Sequence, residues 1–369
     1  MVALALAALA ALRAPAGARE GALEVRDGAL RDDRGREVVL HGVNVVVGRA
    51  PWIPAAGGSE ERSFDSTDAR RVRAMGLNAI RLGITWEGVM PAPGAVSQAY
   101  LDRVARTVRS ARRAGLYVVV AMHQERFSSR FAGHGAPDWA VRDGGRVFDG
   151  ALPFPFGGTE APVGRAFTAL WEDQDGLRGR YAEAWRAVAA RLRGHARVVG
   201  YDLVEAPGCD VGAAPCGQPP GPPAAGRWLA PFYAALVPAV RGADETHPVL
   251  YREGWSFGAY KAYGDAGARP LYSDRGRPFA SRVRTVAVPY PQRIAGREAT
   301  WAFDRPDRRF TLRYRPRGGA ETVVALPRAA FPDGARVSAS GARTRREGGT
   351  GRVRARDGVR MVRVTVTGR

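Results

Sequence analysis

The stretch that decides the fold runs from NAIRLGI (Asn78–Ile84) through QAYLDRVARTVRSARRA (Gln98–Ala114) to YVVVAM (Tyr117–Met122). The first and last segments are almost continuously apolar, which is typical of strands buried on both faces of a parallel sheet. In the middle segment apolar residues recur at helical spacing from Leu101 to Val108, which predicts an amphipathic helix. A strand, a helix and a second strand in this order form one unit of a parallel β/α fold.

The same alternation extends in both directions. The further predicted elements are a strand at Val38–Val47, a helix at Asp65–Met75, a helix at Trp171–Leu192, a strand at Val198–Val204, a helix at Trp228–Val240 and a strand at Val249–Tyr251. A doubly wound sheet is disfavoured because no Gly-rich phosphate loop follows the first strand. We therefore expect an α/β fold of the eight-fold β/α (TIM) barrel type over residues 25–288.

The pattern changes from about Pro289 onward. Five short runs tend to alternate between apolar and polar residues and are separated by Gly, Pro and Asp turns: Thr300–Phe303, Phe310–Arg315, Glu321–Ala325, Ala335–Ala339 and Val359–Val366. Such runs are typical of antiparallel strands. Residues 289–369 are therefore predicted to form a small C-terminal all-β sandwich domain.

The charge of the chain is strongly positive. Its 369 residues include 56 Lys+Arg and 36 Asp+Glu, for a formal net charge of +20. Lys261 is the only lysine, and the arginines are spread along the chain instead of forming one stripe. We interpret this as a composition bias and expect no nucleic-acid partner, although a basic binder of nucleic acid or of an anionic surface remains an alternative that rests on charge alone.

Two further features concern the cellular compartment. The apolar run Val2–Leu12 and the small residues after it resemble a signal peptide spanning residues 1–18, too short to cross a bilayer, so we expect a secreted, extracellular protein. Cys209 and Cys216 lie in a Gly/Pro-rich loop and are a candidate disulfide. Two thiols without a neighbouring histidine disfavour a structural zinc site, and no metal or other cofactor is predicted.

Polar and aromatic side chains cluster where the predicted strands end, which is where the active site of a β/α barrel lies. The candidates for binding a substrate are Arg81, His123, Gln124, Glu125, Trp139 and Glu253, and Glu205 follows the fourth predicted strand. A ring of carboxylate, amide, imidazole and indole groups suits a sugar, because aromatic rings stack on its faces and polar groups bind its hydroxyls. His134, His195 and His247 are interpreted as surface or packing residues.

Several segments resemble the endoglycoceramidase-like branch of glycoside hydrolase family 5. The most specific are MHQERFSSRFAGHGAPDWA (Met122–Ala140) and VPYPQRIAG (Val288–Gly296). The resemblance implies a TIM barrel that hydrolyses O-glycosidic bonds of a glycolipid or β-glucoside with retention, using one glutamate as acid/base and a second as nucleophile. It also implies that Arg81 supports the nucleophile and that His123 lines the sugar site. We expect a monomer that contacts a membrane only through its glycolipid.

The chain departs from the family pattern at both catalytic positions. Where the family reads Asn-Glu-Pro, this chain reads Glu205-Ala206-Pro207, so Ala206 takes the acid/base position and Glu205 would replace the acid only through a bulge. The nucleophile is unknown, because the sequence between Gly264 and Leu271 is too short for strands six to eight. We therefore expect an incomplete barrel of about five β/α units.

Two functional readings follow from the resemblance. In the first, the chain is a secreted glycosidase of family 5 ancestry whose catalysis is impaired. In the second, it is a catalytically inactive relative that binds a carbohydrate or glycolipid. Binding of a glycolipid without turnover separates the two.

Overall fold

The structure is a computed structural model that describes residues 21–55, 63–150, 161–205, 222–250, 257–261 and 270–369. The predicted signal peptide, the cysteine pair Cys209 and Cys216, Ala206 and Glu253 lie outside these residues. The predictions made for them stay predictions. The described residues contain seventeen β-strands and seven α-helices.

Among the described residues, three short strands precede a parallel sheet. The opening strands are β1 (Glu24–Arg26), β2 (Ala29–Arg31) and β3 (Glu37–Val38). The strands of the parallel sheet are β4 (Gly42–Val45), β5 (Ala79–Ile84), β6 (Tyr117–Met122), β7 (Val198–Asp202), β8 (Val249–Leu250) and β9 (Phe257–Ala259). They lie in the order β8-β7-β6-β5-β4-β9, and all five adjacent pairs are parallel. All six residues of β5 are buried, as expected for a strand covered on both faces.

Helices cover this sheet. They are α1 (Ser66–Ala74), α2 (Trp86–Val89), α3 (Gln98–Arg113), α4 (Ala161–Trp171), α5 (Leu177–Leu192), α6 (Pro222–Ala243) and α7 (Ala280–Val286). The start of α1 is fixed by a capping box, in which the Asp65 side chain accepts from the amides of Thr67 and Asp68. The apolar spacing of α3 buries Leu101 and Val108 against the sheet.

The helix predicted at Trp171–Leu192 is α5, which begins later, at Leu177. The structure has α4 and α5, separated by Asp173, Asp175 and Gly176, which all have positive φ. Left-handed backbone cannot continue an α-helix, so α5 does not extend back to Trp171, where α4 ends. No helix in the described part of the chain is long and apolar enough to cross a membrane.

The sixth parallel strand is also unexpected. The predicted elements include no strand at Phe257–Ala259, whereas the structure pairs β9 in parallel with β4. A strand of three residues is too short to show a period, which is why the sequence did not reveal it.

The C-terminal part is all-β. Its strands are β10 (Pro291–Ile294), β11 (Gly296–Asp304), β12 (Arg309–Pro316), β13 (Thr322–Ala325), β14 (Ala335–Ser340), β15 (Ala342–Glu347), β16 (Thr350–Ala355) and β17 (Val362–Gly368). One sheet has the order β11-β12-β17-β14, and its core includes Phe310, Leu312 and Val364. Strands β15 and β16 were missed because their sequences, ARTRRE and TGRVRA, are dominated by arginine and small residues.

The opening strands belong to the second sheet of this C-terminal part, in the order β1-β2-β3-β10-β13-β16-β15. The predicted division placed residues 25–288 in the barrel, yet β3 pairs with β10 through Val38 and Arg293. Tyr290 and Gln292 also donate hydrogen bonds to the carbonyl of Gly76, just after α1, at 3.1 and 2.9 Å. Strand pairing and hydrogen bonds therefore tie the two parts together.

Candidate functional site

The candidate site lies at the carboxyl ends of three neighbouring strands. Arg81 lies within β5, His123 directly follows β6, and Glu205 lies three residues beyond the end of β7. Parallel strands bring these three positions together although 124 residues separate Arg81 from Glu205 in the sequence. The expectation that these three side chains meet is therefore consistent with the geometry.

Arg81 joins two carboxylates. Its Nη1 donates to Oε2 of Glu205 at 2.7 Å, and its Nη2 donates to Oδ2 of Asp202 at 2.5 Å. The side chains of Arg81 and Asp202 are only 6% and 3% exposed, so this contact is almost dry. A buried guanidinium needs such partners, because a charge removed from water is costly unless it is paired.

Glu205 is the more accessible of the two acids, with its side chain 16% exposed. Its Oε2 also lies 3.1 Å from Nε2 of His123. Burial raises the pKa of the Glu205 carboxyl, and the positive charge of Arg81 opposes this shift. A carboxyl with a raised pKa retains its proton to higher pH, as a general acid requires.

His123 is held on both ring nitrogens. Its Nδ1 lies 2.8 Å from Nε2 of His134, and its Nε2 contacts Glu205. Burial and the nearby Arg81 charge lower the pKa of His123 to about 3, so the imidazole is neutral near pH 7. A neutral imidazole carries one N–H, so it donates through one nitrogen and accepts through the other.

His134 is a residue whose place in the site sequence reasoning missed. It was interpreted as a surface or packing residue, but it is 5% exposed and bonded to the site histidine. The sequence feature that could have indicated this position of His134 is GHG at Gly133–Gly135, because two glycines allow the chain to come very close to a neighbouring backbone. Asp202 was missed as well, because an acid inside a buried strand gives no periodicity signal.

The remaining candidates have different environments. Gln124 donates through Nε2 to the carbonyl of Glu205 at 2.9 Å and accepts from the amide of Phe127 at 2.7 Å. These two hydrogen bonds connect Glu205 to the loop after β6. Glu125 is 40% exposed at the outer end of the histidine pair. The indole of Trp139 donates to the carbonyl of Met90 at 3.2 Å and packs edge-on against Trp86, which gives it a structural anchor.

A second cluster of titratable side chains, separate from the site, is buried. Asp244 accepts from the Tyr201 hydroxyl at 2.6 Å and contacts Nδ1 of His247 at 2.5 Å. These contacts lower the pKa of Asp244. His247, interpreted from the sequence as a surface or packing residue, is thus a buried packing residue. Within the described ranges, no group of three or more His, Cys, Asp or Glu side chains is arranged to hold a metal ion.

Comparison with protein families decides the assignment. A family model described as cellulase (glycosyl hydrolase family 5) matches residues 32–263, and one described as the glycoside hydrolase family 5 C-terminal domain matches residues 289–367. The chain belongs to glycoside hydrolase family 5. The family resemblance seen in the sequence is therefore confirmed, and so is a TIM-barrel-type fold followed by an all-β domain.

Individual relatives point to one branch of family 5. An endoglycoceramidase of Cyanea nozakii is 32% identical over 246 residues, which cover 60% of this chain and 48% of that protein. The chain thus spans about half the length of the curated relatives it matches. Two structures of endo-glycoceramidase II from Rhodococcus sp., a lactosyl-enzyme intermediate and a ganglioside GM3 complex, each align with a TM-score of 0.70 at 25% identity, covering 92% of this chain and 99% of theirs.

Proposed function

We propose that this chain binds the glycan of a glycolipid at the carboxyl ends of β5, β6 and β7, as an endoglycoceramidase-like protein, and that its hydrolytic turnover is impaired. One observation carries the proposal: Glu205 offers a carboxyl to the site while Arg81 and His123 hold it through Oε2. The lactosyl and ganglioside complexes of the Rhodococcus relative support a sugar of this class.

The carboxylates near Glu205 support impairment. Retaining hydrolysis requires two carboxyl groups about 5–5.5 Å apart on opposite sides of the scissile bond. Among the described residues, the acid that shares Arg81 with Glu205 is Asp202, and its side chain is only 3% exposed. A sugar carbon cannot reach so deeply buried an acid, so Asp202 does not serve as the nucleophile that would pair with Glu205.

The order of the strands supports an incomplete barrel. In a closed eight-stranded barrel the last strand pairs with the first. Here β9 takes the position beside β4, while only residues 251–256 separate it from β8 in the sequence. Six residues cannot supply two further β/α units, since one such unit with its strands needs about 30 residues. The missing units are those that would supply the nucleophile.

In the decisive experiment, azide is added as an external nucleophile. The protein is incubated with an aryl β-lactoside, with and without azide, and product configuration is determined by NMR. We expect negligible hydrolysis without azide and slow formation of α-lactosyl azide with it, because an external anion attacks once and inverts the carbon while Glu205 protonates the leaving group. Rapid hydrolysis with retention in the absence of azide would overturn the proposed impairment.

Binding is tested separately. Calorimetric titration with GM3 in detergent micelles is expected to give saturable heat that ceramide micelles do not produce. His123→Ala should weaken this binding at least tenfold, while the matched His195→Ala, at a histidine outside the site, should leave it unchanged. Equal binding to both micelles would reject the glycan as the ligand.

A further inference from the structure

Four titratable side chains form a continuous chain from the pocket to the surface. Oε2 of Glu205 lies 3.1 Å from Nε2 of His123, and Nδ1 of His123 lies 2.8 Å from Nε2 of His134. Nδ1 of His134 in turn lies 3.9 Å from Oε2 of Glu125. The inner carboxyl, of Glu205, is 16% exposed and the outer one, of Glu125, is 40% exposed, so the chain leads from a largely buried carboxyl toward solvent.

The backbone is shaped to bring the two imidazoles together. Glu125 and His134 exchange both backbone hydrogen bonds at 2.8 Å, so the loop after β6 returns against the strand end. A Cβ at Gly133 would lie 1.8 Å from the carbonyl oxygen of Glu125, and one at Gly135 would lie 2.4 Å from Cβ of Gln124. The two glycines that flank His134 are therefore required for its position.

The imidazole of His134 is also fixed in orientation. The Trp52 ring stacks on it at 6.4 Å between centroids, with an angle of 20° between the planes. The two histidine rings are nearly parallel, with an angle of 3°, and their centroids are 4.9 Å apart. Both rings therefore present nitrogen to nitrogen in one line between the two carboxyl groups.

We propose that His123 and His134 form a proton relay that reloads the Glu205 carboxyl from Glu125 and solvent while a glycan covers the pocket. The inference rests on the proposed function, in which Glu205 is the proton donor of the site. His123 touches the donor directly, and His134 acts through His123 as a positioning and relay residue.

The transfer balances as a shift of tautomers. In the starting state Glu205 is ionised, His123 carries its proton on Nε2 and His134 carries its proton on Nε2. Glu125 gives a proton to Nδ1 of His134, His134 passes its Nε2 proton to Nδ1 of His123, and His123 passes its Nε2 proton to Glu205. One proton has then moved from Glu125 to Glu205, and both imidazoles remain neutral.

The surrounding charges favour this neutral route. Arg81 faces His123 from β5, Asp202 and Glu205 lie on the β7 side, and Glu125 lies beside His134. The guanidinium charge opposes formation of an imidazolium at His123. The last separation, between His134 and Glu125, is 3.9 Å and exceeds a hydrogen bond, so the relay requires the partly exposed Glu125 side chain to move closer to His134.

The first test needs no substrate. Ring ¹⁵N shifts of the histidines distinguish the protonated from the bare nitrogen, and they are followed by NMR in the whole protein as pH is varied. We expect His123 and His134 to change tautomer at one shared midpoint, which is that of Glu205. In Glu205→Gln this change should disappear from both rings, whereas His195 should titrate as in the parent.

The second test interrupts the relay. In His134→Asn the amide can still donate to Nδ1 of His123 but cannot pass a proton on, so His123 should keep its Nε2 proton at every pH. In the azide reaction with a substrate that has a poor leaving group, His134→Asn should lower the rate at least tenfold. With dinitrophenyl lactoside the loss should be less than twofold, because dinitrophenolate departs without a proton. Glu125→Gln changes a partly exposed residue. It should shift the pH profile of the azide reaction in the same direction as His134→Asn does.

The outcomes separate the two proposals. Independent tautomer changes at His123 and His134, or an unchanged rate with the poor leaving group in His134→Asn, would refute the relay. Shared tautomer changes in a protein that binds no glycan would retain the relay and reject the proposed function. Circular dichroism of each variant checks that a loss of rate does not reflect unfolding.

Discussion

Arg81 and Glu205 meet at 2.7 Å although they lie on β5 and beyond β7, and the strand between them, β6, contributes His123 to the same carboxyl oxygen. The contact exists because the three strands are parallel neighbours whose carboxyl ends share one edge. Because Arg81 contacts both the buried Asp202 and the site residue Glu205, we expect a substitution at Arg81 to change both stability and the chemistry of the site.

Replacing Arg81 with glutamine should destabilise the fold. Asp202 would lose its guanidinium contact in a position that is 3% exposed, and breaking a buried ion pair by removing one partner typically costs about 3–5 kcal/mol. Urea denaturation at pH 7 should show this loss. The control is Arg26→Gln, which breaks an exposed pair with Glu24 and should cost less than about 1 kcal/mol. Equal losses in the two variants would contradict the role assigned to Arg81.

The free energy of unfolding should fall as pH drops from about 6.5 to 4. Burial lowers the pKa of His41 to about 4, whereas an unfolded histidine titrates near 6.5. Between these values the unfolded state binds the proton and the folded state does not, so acid favours unfolding by up to roughly 3 kcal/mol. His123, with its pKa near 3, adds to the same trend.

His41→Phe tests this assignment, because phenylalanine keeps the ring contact with Tyr290, at 4.7 Å between centroids, but cannot bind a proton. Urea denaturation between pH 4 and 7 should give a flatter profile for this variant than for the parent. Identical slopes for the two proteins would show that His41 is not a source of the acid sensitivity.

Removal of the C-terminal domain, residues 289–369, should destabilise the rest of the chain. A chain that ends at Val288 loses β10, the strand with which β3 pairs, and also Tyr290 and Gln292, which bind the carbonyl of Gly76. We expect residues 21–288 alone to aggregate and to become soluble when residues 289–369 are co-expressed. A soluble fragment 21–288 with the melting temperature of the whole chain would argue against this interface.

Much of the fold follows from local signals in the sequence. The predicted bounds of α1, the apolar spacing of α3 and the apolar run of β6 each agree with the observed element within a residue or two. By contrast, β9 and the pairing of β3 with β10 depend on contacts between distant segments, which leave no period in either partner. The positions of His123 and Glu205 followed from strand ends and that of Arg81 from a predicted strand, whereas His134 reaches the site only because a loop folds back over β6.

That loop gives the last prediction, which concerns glycine. At Gly133 a methyl group would lie 1.8 Å from the carbonyl oxygen of Glu125, so Gly133→Ala must separate the two backbone segments that hold His134. We expect the histidine ring ¹⁵N shifts of His123 and His134 to change and the melting temperature to fall by several degrees. Gly179→Ala is the matched control, because Gly179 lies inside α5 with nothing within 4 Å of its Cβ position. Alanine is favoured over glycine in a helix by up to about 1 kcal/mol, so this control should melt at an equal or higher temperature with unchanged histidine shifts. If Gly133→Ala left the two histidines undisturbed, the close return of the loop would not be what positions His134.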